Sequence, residues 1–410
     1  MAKLKEKNKE NGMNVLTNNN NCTGCGTCYL KCPKNAIKMQ ADLEGFYYPI
    51  IDKESCVNCN ICRDNCPQIN LLSDLTNNKN LFYGGVIISE SDLLSSSSGG
   101  AFTAVAKALG DDTLFCGAVF SDDLKVVHIV DDDYKVFRKS KYVQSNVTNS
   151  FPKVKEHLDS GRRVLFTGTP CQVAGLYSFL GKKYENLITI DLICHGVPSQ
   201  KVFDSYINSL KKRHKRIKID RYSFREKHLF WDDWEIGVSY GNNEKTKYHA
   251  WGQDPYMFGF LRGLFYRPVC YQCRYSNAGV MRPGDFTIGD FWGSKRVDTR
   301  LDEKKGSSVL IVNSNKGFDL IDRISSNMTL IPVNKEDVVI ENHNLVTPTP
   351  MNPNRTEFFD KLSEGVDFYN IMNKYIKRRS HSQKVRVILS KLFPYLLQRR
   401  RSIVRKERSH

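Results

Sequence analysis

The body of the chain alternates between short apolar runs and segments in which apolar residues recur at helical spacing. Runs at residues 81–89, 114–120, 126–130, 163–166, 187–193 and 307–314 have the length and composition of buried strands. Helical periodicity occurs at residues 101–109, 151–158, 173–180, 202–210 and 316–324. Strands that alternate with helices in this way predict an α/β domain built on a mixed sheet.

The segment before this body contains two copies of one cysteine pattern. Each copy reads C-x2-C-x2-C-x3-C-P, and the second begins 34 residues after the first. The duplication is typical of an α+β dicluster ferredoxin, in which the fourth cysteine of each copy binds the other cluster. One predicted 4Fe–4S cluster is therefore held by Cys22, Cys25, Cys28 and Cys66, and the second by Cys56, Cys59, Cys62 and Cys32.

Zinc is the alternative ligand for closely spaced cysteines. A zinc module needs four ligands at each site and has no use for a third closely spaced cysteine in each copy. The doubled spacing therefore favours iron–sulfur clusters over zinc.

Composition and charge add one feature, a basic C-terminal tail. The formal net charge is +17, but residues 374–410 hold thirteen Lys and Arg against one acid, so the rest of the chain is nearly balanced. This distribution does not describe a nucleic-acid-binding surface. Residues 384–397 combine apolar residues at helical spacing with cations, which predicts a helix that binds an anionic membrane surface. A partner-docking helix or a solvated tail is the alternative.

The chain is expected to be cytoplasmic, and peripheral at the inner face of the membrane if the tail binds lipid. The basic N-terminus is not followed by an apolar stretch, and no run of 18 or more apolar residues occurs. Thirteen cysteines, eight of which cluster between Cys22 and Cys66, are also more typical of metal binding in a reducing compartment than of disulfides.

Four further cysteines stand where ligands gather in α/β proteins. Cys171 and Cys194 each follow a predicted strand, and Cys270 and Cys273 form a C-x2-C pair. Together they supply the four thiolates that another 4Fe–4S cluster needs. A redox-active disulfide or a zinc knuckle is the alternative for the pair. Cys116 lies within an apolar run and is interpreted as a core residue.

Other polar segments suggest ligand contacts. Residues 95–101, SSSSGGA, precede an apolar helix and suit a phosphate, although a serine linker with a helix cap has the same sequence. Arg225, Lys227 and Trp231 are candidates for an anionic substrate, or else a charged strand end. His195 is a candidate acid or ligand, whereas His128, in an apolar strand, is interpreted as structural.

The ordered motifs resemble a known family. They are S-S-G-G-A-F (97–102), S-K-Y-V-Q-S (140–145), G-T-P-C-Q-V-A-G-L (168–176), C-H-G-V-P-S (194–199), C-x2-C (270–273) and D-F-T-I-G-D-F-W-G (285–293). Together with the cysteine-rich N-terminus they resemble the beta subunit of coenzyme F-420 hydrogenase/dehydrogenase, fused to a dicluster ferredoxin domain. The expected organisation is a ferredoxin domain at 15–75, an α/β mixed-sheet flavin/iron–sulfur domain at 80–373 and a basic helical tail at 374–410.

The resemblance implies a flavin, FAD, beside an iron–sulfur cluster held by Cys171, Cys194, Cys270 and Cys273. The residues that it places at the flavin are Ser97, Ser98, Gly99, Gly100, Lys141, Tyr142, Gln144, Thr167, Gly168 and Thr169. His195, Arg225 and Lys227 remain the candidates for a catalytic role.

The predicted function is that of an iron–sulfur flavoprotein oxidoreductase. Single electrons would pass between 4Fe–4S clusters and a flavin, to or from a deazaflavin-like or other two-electron substrate. The expected partner is a redox protein or a small redox carrier, with no nucleic acid. The alternatives are a non-catalytic electron relay that docks to partners and a reductase of a cell-surface polysaccharide pathway.

Overall fold

The computed structural model describes residue 15 and residues 19–70, 80–215, 218–227, 231, 233–241, 246–276, 282–301 and 305–376. Most of the polar linker, residues 71–79, and the predicted tail helix, residues 384–397, lie outside the described residues. Membrane binding by the tail and the domain boundaries given above therefore stay predictions.

The described strands and helices are numbered in chain order. The strands are β1 (Ile37–Ala41), β2 (Tyr47–Ile51), β3 (Leu81–Ile87), β4 (Thr113–Phe120), β5 (Val126–Asp131), β6 (Arg163–Gly168), β7 (Leu187–Leu192), β8 (Arg221–Glu226), β9 (Glu235–Ser239), β10 (Lys247–Ala250), β11 (Phe286–Asp290), β12 (Ser308–Val312) and β13 (Met328–Pro332). The α-helices are α1 (Thr27–Leu30), α2 (Ile61–Asp64), α3 (Glu90–Leu94), α4 (Ala101–Leu109), α5 (Ser150–Asp159), α6 (Pro170–Leu180), α7 (Gln200–Arg213), α8 (Pro255–Leu261), α9 (Asn315–Phe318), α10 (Ile321–Ser325), α11 (Lys335–Val339), α12 (Arg355–Ser363) and α13 (Phe368–Tyr375).

A mixed sheet of eight strands forms the centre of the body, in the order β13-β3-β12-β11-β7-β6-β4-β5. The strands β4, β6, β7 and β11 pair in parallel, and the remaining pairs are antiparallel. All six strands predicted from apolar runs belong to this sheet, so the mixed α/β sheet is confirmed. The strands β11 and β13 were not predicted as strands.

The sheet is buried on both faces, as its parallel centre requires. Alternate residues of β6 enter different cores: Leu165 packs with residues of α4, whereas Val164 and Phe166 pack with α5 and α6. Because the carboxyl ends of β6 and β7 lie at one edge of this covered sheet, the segments that follow them are brought side by side.

A second, antiparallel sheet of three strands, β10-β9-β8, lies on an aromatic core. Its core includes Phe203 and Tyr206 of α7 and Phe224 of β8, all fully buried. The rings of Phe203 and Phe224 are 5.5 Å apart, and those of Phe203 and Tyr206 are 6.2 Å apart. This sheet, which sequence periodicity did not predict, carries Arg225 toward the body.

The N-terminal segment folds as a ferredoxin-like unit around the hairpin β1–β2, in which Ile37 pairs with Ile51. Its sequence repeat is also a conformational repeat. Gly24 and Gly26 adopt φ of +72° and +77°, and the residues 34 positions later, Asn58 and Asn60, adopt +54° and +60°. Glycine and asparagine are the residues that tolerate this left-handed region, so both cysteine loops have the same turns.

Candidate redox site

Four cysteines drawn from both copies of the repeat line one cavity of about 240 Å³. We name Cys32, Cys56, Cys59 and Cys62 the outer set, because Cys59 is exposed. The Ala36 N–H donates to Cys32 Sγ at 3.3 Å, which is the kind of amide contact that stabilises a thiolate. Three members come from the second copy and one from the first, as the ferredoxin pattern predicts.

The remaining cysteines of the repeat, Cys22, Cys25, Cys28 and Cys66, form the inner set. Burial raises the pKa of the Cys28 thiol, and the adjacent Cys25, Cys22 and Cys66 raise this pKa further. Buried thiols that disfavour one another's ionisation need a positively charged partner to become thiolates together. An iron–sulfur core is such a partner, so this set also fits a 4Fe–4S cluster.

The geometry does not favour single metal ions. Among the described residues, no three His, Cys, Asp or Glu side chains converge as the ligands of one ion must. Tetrahedral zinc–sulfur bonds of about 2.3 Å bring the sulfur atoms to about 3.8 Å from one another. A cubane binds each thiolate through a different iron, so its four cysteine ligands need not converge on one atom.

Arg267 connects the inner set to the body. Its side chain is 1% exposed, its Nε donates to Cys22 O at 2.6 Å, and its Nη2 donates to Tyr47 O at 2.8 Å. Its third described acceptor, Gln144 Oε1, is also uncharged. A Cβ on Gly24 would lie 2.7 Å from Arg267 Nη1, so the close approach requires glycine.

This arrangement points to negative charge nearby. A buried cation is costly unless an anion compensates it. A cubane bound by four thiolates carries net negative charge, and the inner set lies directly against Arg267. Asp42 and Glu44 also interact electrostatically with Arg267, so a cluster bound by the inner set would add to the negative charge that these carboxylates supply.

Helix α6 carries the contact between the inner set and the next group of cysteines. The Thr27 Oγ1 hydroxyl donates to Gly175 O at 2.8 Å, and a Cβ on Gly175 would lie 2.7 Å from Cys25 Cβ. At the start of the same helix, the Thr169 N–H donates to Gln172 Oε1 at 2.9 Å, which caps the helix. The first turn of α6, which contains Cys171, is therefore held in place one turn before the contact with Cys25.

The structure also brings together the four scattered cysteines, Cys171, Cys194, Cys270 and Cys273, which we name the third set. Burial raises the pKa of Cys194, and the neighbouring Cys270 and Cys273 raise it further. The pKa of Cys171 is raised in the same way, first by burial and then by Cys194, Cys273 and Cys25. The third set therefore adjoins the inner set, and its role as cluster ligands stays a proposal.

A cavity of about 290 Å³ lies beyond the third set, at the carboxyl ends of β6 and β7. Cys194 of the third set and the adjacent His195 are in its wall. Most of the residues predicted to contact a flavin also line it, together with Arg225. These are Ser97, Ser98, Gly100, Lys141, Tyr142, Thr167, Gly168 and Thr169.

Two residues predicted at the flavin do not line the cavity. A Cβ on Gly99 would lie 2.4 Å from both Gly85 O and Ser308 N, so Gly99 is needed for packing against the sheet. The Gln144 Nε2 donates to Thr23 O at 2.9 Å, and its Oε1 accepts from Arg267. Gln144 therefore connects the body to the ferredoxin-like unit.

Lys227 and Trp231 also serve a different purpose from the predicted one. The ammonium of Lys227 donates to Leu93 O, Ser98 O and Lys305 O at 2.9, 2.5 and 3.1 Å. Three acceptors use all the donors of an ammonium group. The Trp231 Nε1 donates to Ser97 O at 3.0 Å. Both side chains hold the serine–glycine loop in shape, and neither lines the cavity.

Several buried polar atoms in the cavity wall have no hydrogen-bond partner among the described residues. They include His128 Nδ1, Thr167 Oγ1, and Arg225 Nε and Nη2. The other ring nitrogen, His128 Nε2, lies 2.9 Å from Thr167 O, and burial lowers the pKa of His128 to about 4. His128 is thus a neutral wall residue that sequence reasoning, which saw only an apolar strand, took as purely structural.

Lys141 and His195 also line the cavity. Burial lowers the pKa of Lys141 to about 7, and its ammonium donates to Phe137 O and Arg138 O at 3.1 and 2.8 Å. Burial also lowers the pKa of His195, while Asp290 opposes this shift. The surroundings of the His195 ring therefore favour its neutral form over its charged form.

None of the described helices combines the length and the apolar character that crossing a bilayer would need.

Comparisons with known proteins agree with this architecture. The family model for the C-terminal part of the beta subunit of coenzyme F-420 hydrogenase/dehydrogenase matches residues 161–336, and that of the 4Fe–4S dicluster domain matches residues 21–69. An uncharacterized ferredoxin from Methanocaldococcus jannaschii is 40% identical over 53 residues, which are 13% of this chain and 68% of that protein.

Among solved structures, a chain of the F-420-reducing nickel–iron hydrogenase complex from Methanosarcina barkeri aligns with a TM-score of 0.41 and 14% identity. The alignment covers 73% of this chain and 92% of that chain. The dicluster match supports two 4Fe–4S clusters in the N-terminal unit. The chain belongs to the coenzyme F-420 hydrogenase/dehydrogenase beta-subunit family and carries a 4Fe–4S dicluster domain ahead of the family's C-terminal domain.

Proposed function

We propose that this oxidoreductase is an iron–sulfur flavoprotein in which each cysteine set holds one 4Fe–4S cluster and the cavity holds FAD. The observation that carries the proposal is the continuity of the series. The inner set adjoins the third set through Cys25 and Cys171, and Cys194 of the third set is in the cavity wall. Clusters exchange single electrons and a flavin exchanges one or two, so these groups would link one-electron carriers to a two-electron substrate.

The cavity fits a flavin in its chemistry. One end is formed by the serine–glycine loop and the start of α4, where Gly100 provides no side-chain cap for the free amides. Tyr142 and Thr167–Thr169 would contact the ring system along the wall, beside apolar Phe260 and Trp292. These aromatic side chains would exclude water from the reacting end.

The substrate that we propose is a deazaflavin-like molecule or another two-electron carrier, delivered by or shared with a redox partner. His195 adjoins Cys194 in the cavity wall, so we propose that its ring accepts the proton that accompanies electron transfer and returns it in the reverse reaction. The family description as a beta subunit supports partner subunits as the source of electrons.

A non-catalytic relay is the competing function. A relay needs no ligand in the cavity, and its wall would be expected to satisfy its own polar atoms. The unpartnered atoms of His128, Thr167 and Arg225, among the described residues, favour a cavity that a polar ligand fills.

Anaerobic purification followed by joint measurement of iron, acid-labile sulfide and released flavin tests the proposal. Three cubanes predict about twelve irons and twelve sulfides per chain, with about one FAD. About eight irons with no flavin would instead support a relay, and stoichiometric zinc without sulfide would contradict both. A screen of electron acceptors with the reduced protein then defines the substrate class.

A further inference from the structure

Arg225 is a buried cation at the cavity wall whose hydrogen-bonding capacity is only partly used. Its side chain is 3% exposed, and its Nη1 donates to Asp290 Oδ2 at 2.6 Å and lies 3.5 Å from the Tyr142 hydroxyl. Its Nε and Nη2 have no partner among the described residues. Leaving such donors unpaired in a buried site is costly, so their natural partner is a ligand.

The two free nitrogens share one edge of the planar guanidinium. The Nε–H and one N–H of Nη2 point in parallel, which matches the two oxygens of a carboxylate or a phosphoryl group. The guanidinium carbon lies 4.5 Å from the centre of the Trp234 ring and 5.8 Å from that of the Trp292 ring, so aromatic surface adjoins the guanidinium without using its hydrogen-bond donors. The free edge therefore remains the part that can receive a ligand.

The charge around this edge suits an anion. Asp290 compensates Arg225, and Glu226 compensates Lys139 in the same wall. Lys141 adds an amine whose described acceptors, Phe137 O and Arg138 O, are uncharged, and its pKa of about 7 leaves it partly protonated at neutral pH. An added oxyanion would balance this remaining positive charge.

The other two residues that were predicted to bind an anion, Lys227 and Trp231, already donate their hydrogen bonds to backbone carbonyls. The Lys227 ammonium is saturated by three carbonyls, and the Trp231 Nε1 is bonded to Ser97 O. Of the three candidates, Arg225 is the one that retains free donors in the wall.

We propose that the Nε–Nη2 edge of Arg225 binds, through two parallel hydrogen bonds, a carboxylate or phosphoryl group of the molecule that occupies this cavity. The proposal deepens the proposed function and rests on it in taking this cavity as the site of reaction. The oxyanion has two sources to distinguish: the two-electron substrate, or the phosphate of the bound flavin.

Calorimetric titration of the full chain, purified anaerobically with its clusters, tests the proposal. The probes are inorganic phosphate and oxalate, each added to protein that is flavin-free, riboflavin-loaded or FMN-loaded. The variants are Arg225→Lys, which keeps the positive charge but loses the pair of parallel N–H donors, and Arg225→Met, which loses both the charge and the donors. Arg221→Met, at the exposed start of the same strand, is the matched control.

The wild type and the Arg221→Met control are expected to bind at least one probe. Arg225→Lys should weaken this binding by about tenfold or more and Arg225→Met by about a hundredfold, as expected for one and two lost charge-assisted hydrogen bonds. The four tryptophans form two stacked pairs, and one member of each pair, Trp234 and Trp292, lies beside the guanidinium, so probe binding should also change the tryptophan fluorescence. Unchanged circular dichroism and iron content show that each variant is folded.

The titrations of riboflavin-loaded and FMN-loaded protein identify which molecule supplies the oxyanion. Binding that persists in FMN-loaded protein assigns the site to the substrate, whereas binding blocked by FMN but not by riboflavin assigns it to the flavin phosphate. The proposal is overturned if neither probe binds the wild type, or if both Arg225 variants bind as tightly as Arg221→Met. Because the phosphate titration needs no flavin, a failure here is distinct from a failure of the cofactor analysis.

Discussion

At the scale of single residues, Arg267 makes the contacts that join the body of the chain to the ferredoxin-like unit. It is fully buried, reaches from the body into the first cysteine loop, and is met there by Gly24 at φ +72°. Burial raises the pKa of the Cys22 and Cys270 thiols, and the positive charge of Arg267 opposes this rise in both. One side chain thus stabilises thiolates in the surroundings of two proposed clusters.

Replacing Arg267 with Met should lower the reduction potential of the inner cluster, because the cation that stabilises the added electron is lost. It should also destabilise the junction, since Cys22 O and Tyr47 O lose their buried donors, at a cost of about 1–3 kcal/mol each. Potentiometric titration followed by electron paramagnetic resonance measures the first effect, and thermal unfolding the second. Arg262→Met, at an exposed arginine, is the control; an unchanged potential in Arg267→Met would contradict the assignment.

His128 makes stability depend on pH. Its pKa is lowered by burial from 6.5 to about 4, so the folded state favours the neutral ring and stability is lost as pH falls from about 6.5 toward 4. The loss attributable to this residue is about 2 kcal/mol between pH 7 and pH 5. Denaturant unfolding of the anaerobic protein at both pH values measures it. His128→Gln should reduce the difference in unfolding free energy between the two pH values. The control His157→Gln, in helix α5, should keep this difference. The prediction is refuted if the wild type and both variants lose the same unfolding free energy between pH 7 and pH 5.

The residue scale also shows where the sequence reaches its limit. Arg225, Lys227 and Trp231 stand within seven positions of one another, and nothing in their order distinguishes them. The fold directs Lys227 onto three carbonyl oxygens that come from two distant segments. Such contacts depend on long-range folding, which local sequence patterns do not encode.

At the scale of elements, the turns that carry the cysteines were predictable and the contacts between elements were not. Cys171 and Cys194 follow parallel neighbours β6 and β7, so their proximity follows from the general rule for strand ends. Cys270 and Cys273 come from a short 3-10 helix, Pro268–Gln272, and its end. The β-bridge between Pro198 and Tyr266 brings these two cysteines close to Cys194, and no periodicity in the sequence indicates this bridge.

Removing one ligand of the third set should remove one cluster. Cys273→Ser is expected to lower the iron content from about twelve to about eight per chain and to abolish one paramagnetic signal, while the two ferredoxin signals persist. Cys116→Ser is the control, because Cys116 is 1% exposed in the sheet core and lies in none of the three sets. An iron content near twelve in Cys273→Ser would remove this cysteine from the ligand set.

The small sheet β8–β10 was missed for a physical reason. In β8 the apolar Tyr222 and Phe224, which pack on aromatic rings of α7 and α8, alternate with Arg221, Ser223 and Arg225. In β9 the large apolar residues are Ile236 and Val238. Neither strand therefore contains the continuous apolar run that revealed the strands of the central sheet. The strand that carries Arg225 was therefore not predicted from the sequence.

At the scale of the whole molecule, the three cysteine sets lie in a series between an exposed cysteine and the cavity, and we propose that electrons follow this series. Cys59 of the outer set is exposed, the inner set contacts α6 through Cys25, and Cys194 of the third set faces the cavity. The repeat predicted the first two sets from the sequence alone. Their order relative to the cavity required the packing of Gly175 against Cys25, a contact between residues far apart in the chain.

This order predicts that a protein donor and a small reductant will behave differently when the outer cluster is lost. A protein donor is too large to enter the body and must deliver electrons at the exposed outer set, whereas dithionite is small enough to reach the inner clusters. Cys59→Ser should therefore nearly abolish reduction by a reduced ferredoxin while leaving reduction by dithionite in place, as followed by stopped-flow absorbance.

Val57→Ala is the matched control, because Val57 is 57% exposed beside the same cavity and offers no ligand. It should keep the outer cluster and lose at most part of the donor contact. If Cys59→Ser still accepted electrons from ferredoxin at the wild-type rate with its outer cluster absent, electrons would have to enter nearer the third set. The surface around Cys59 would then be excluded as the site at which electrons enter the protein.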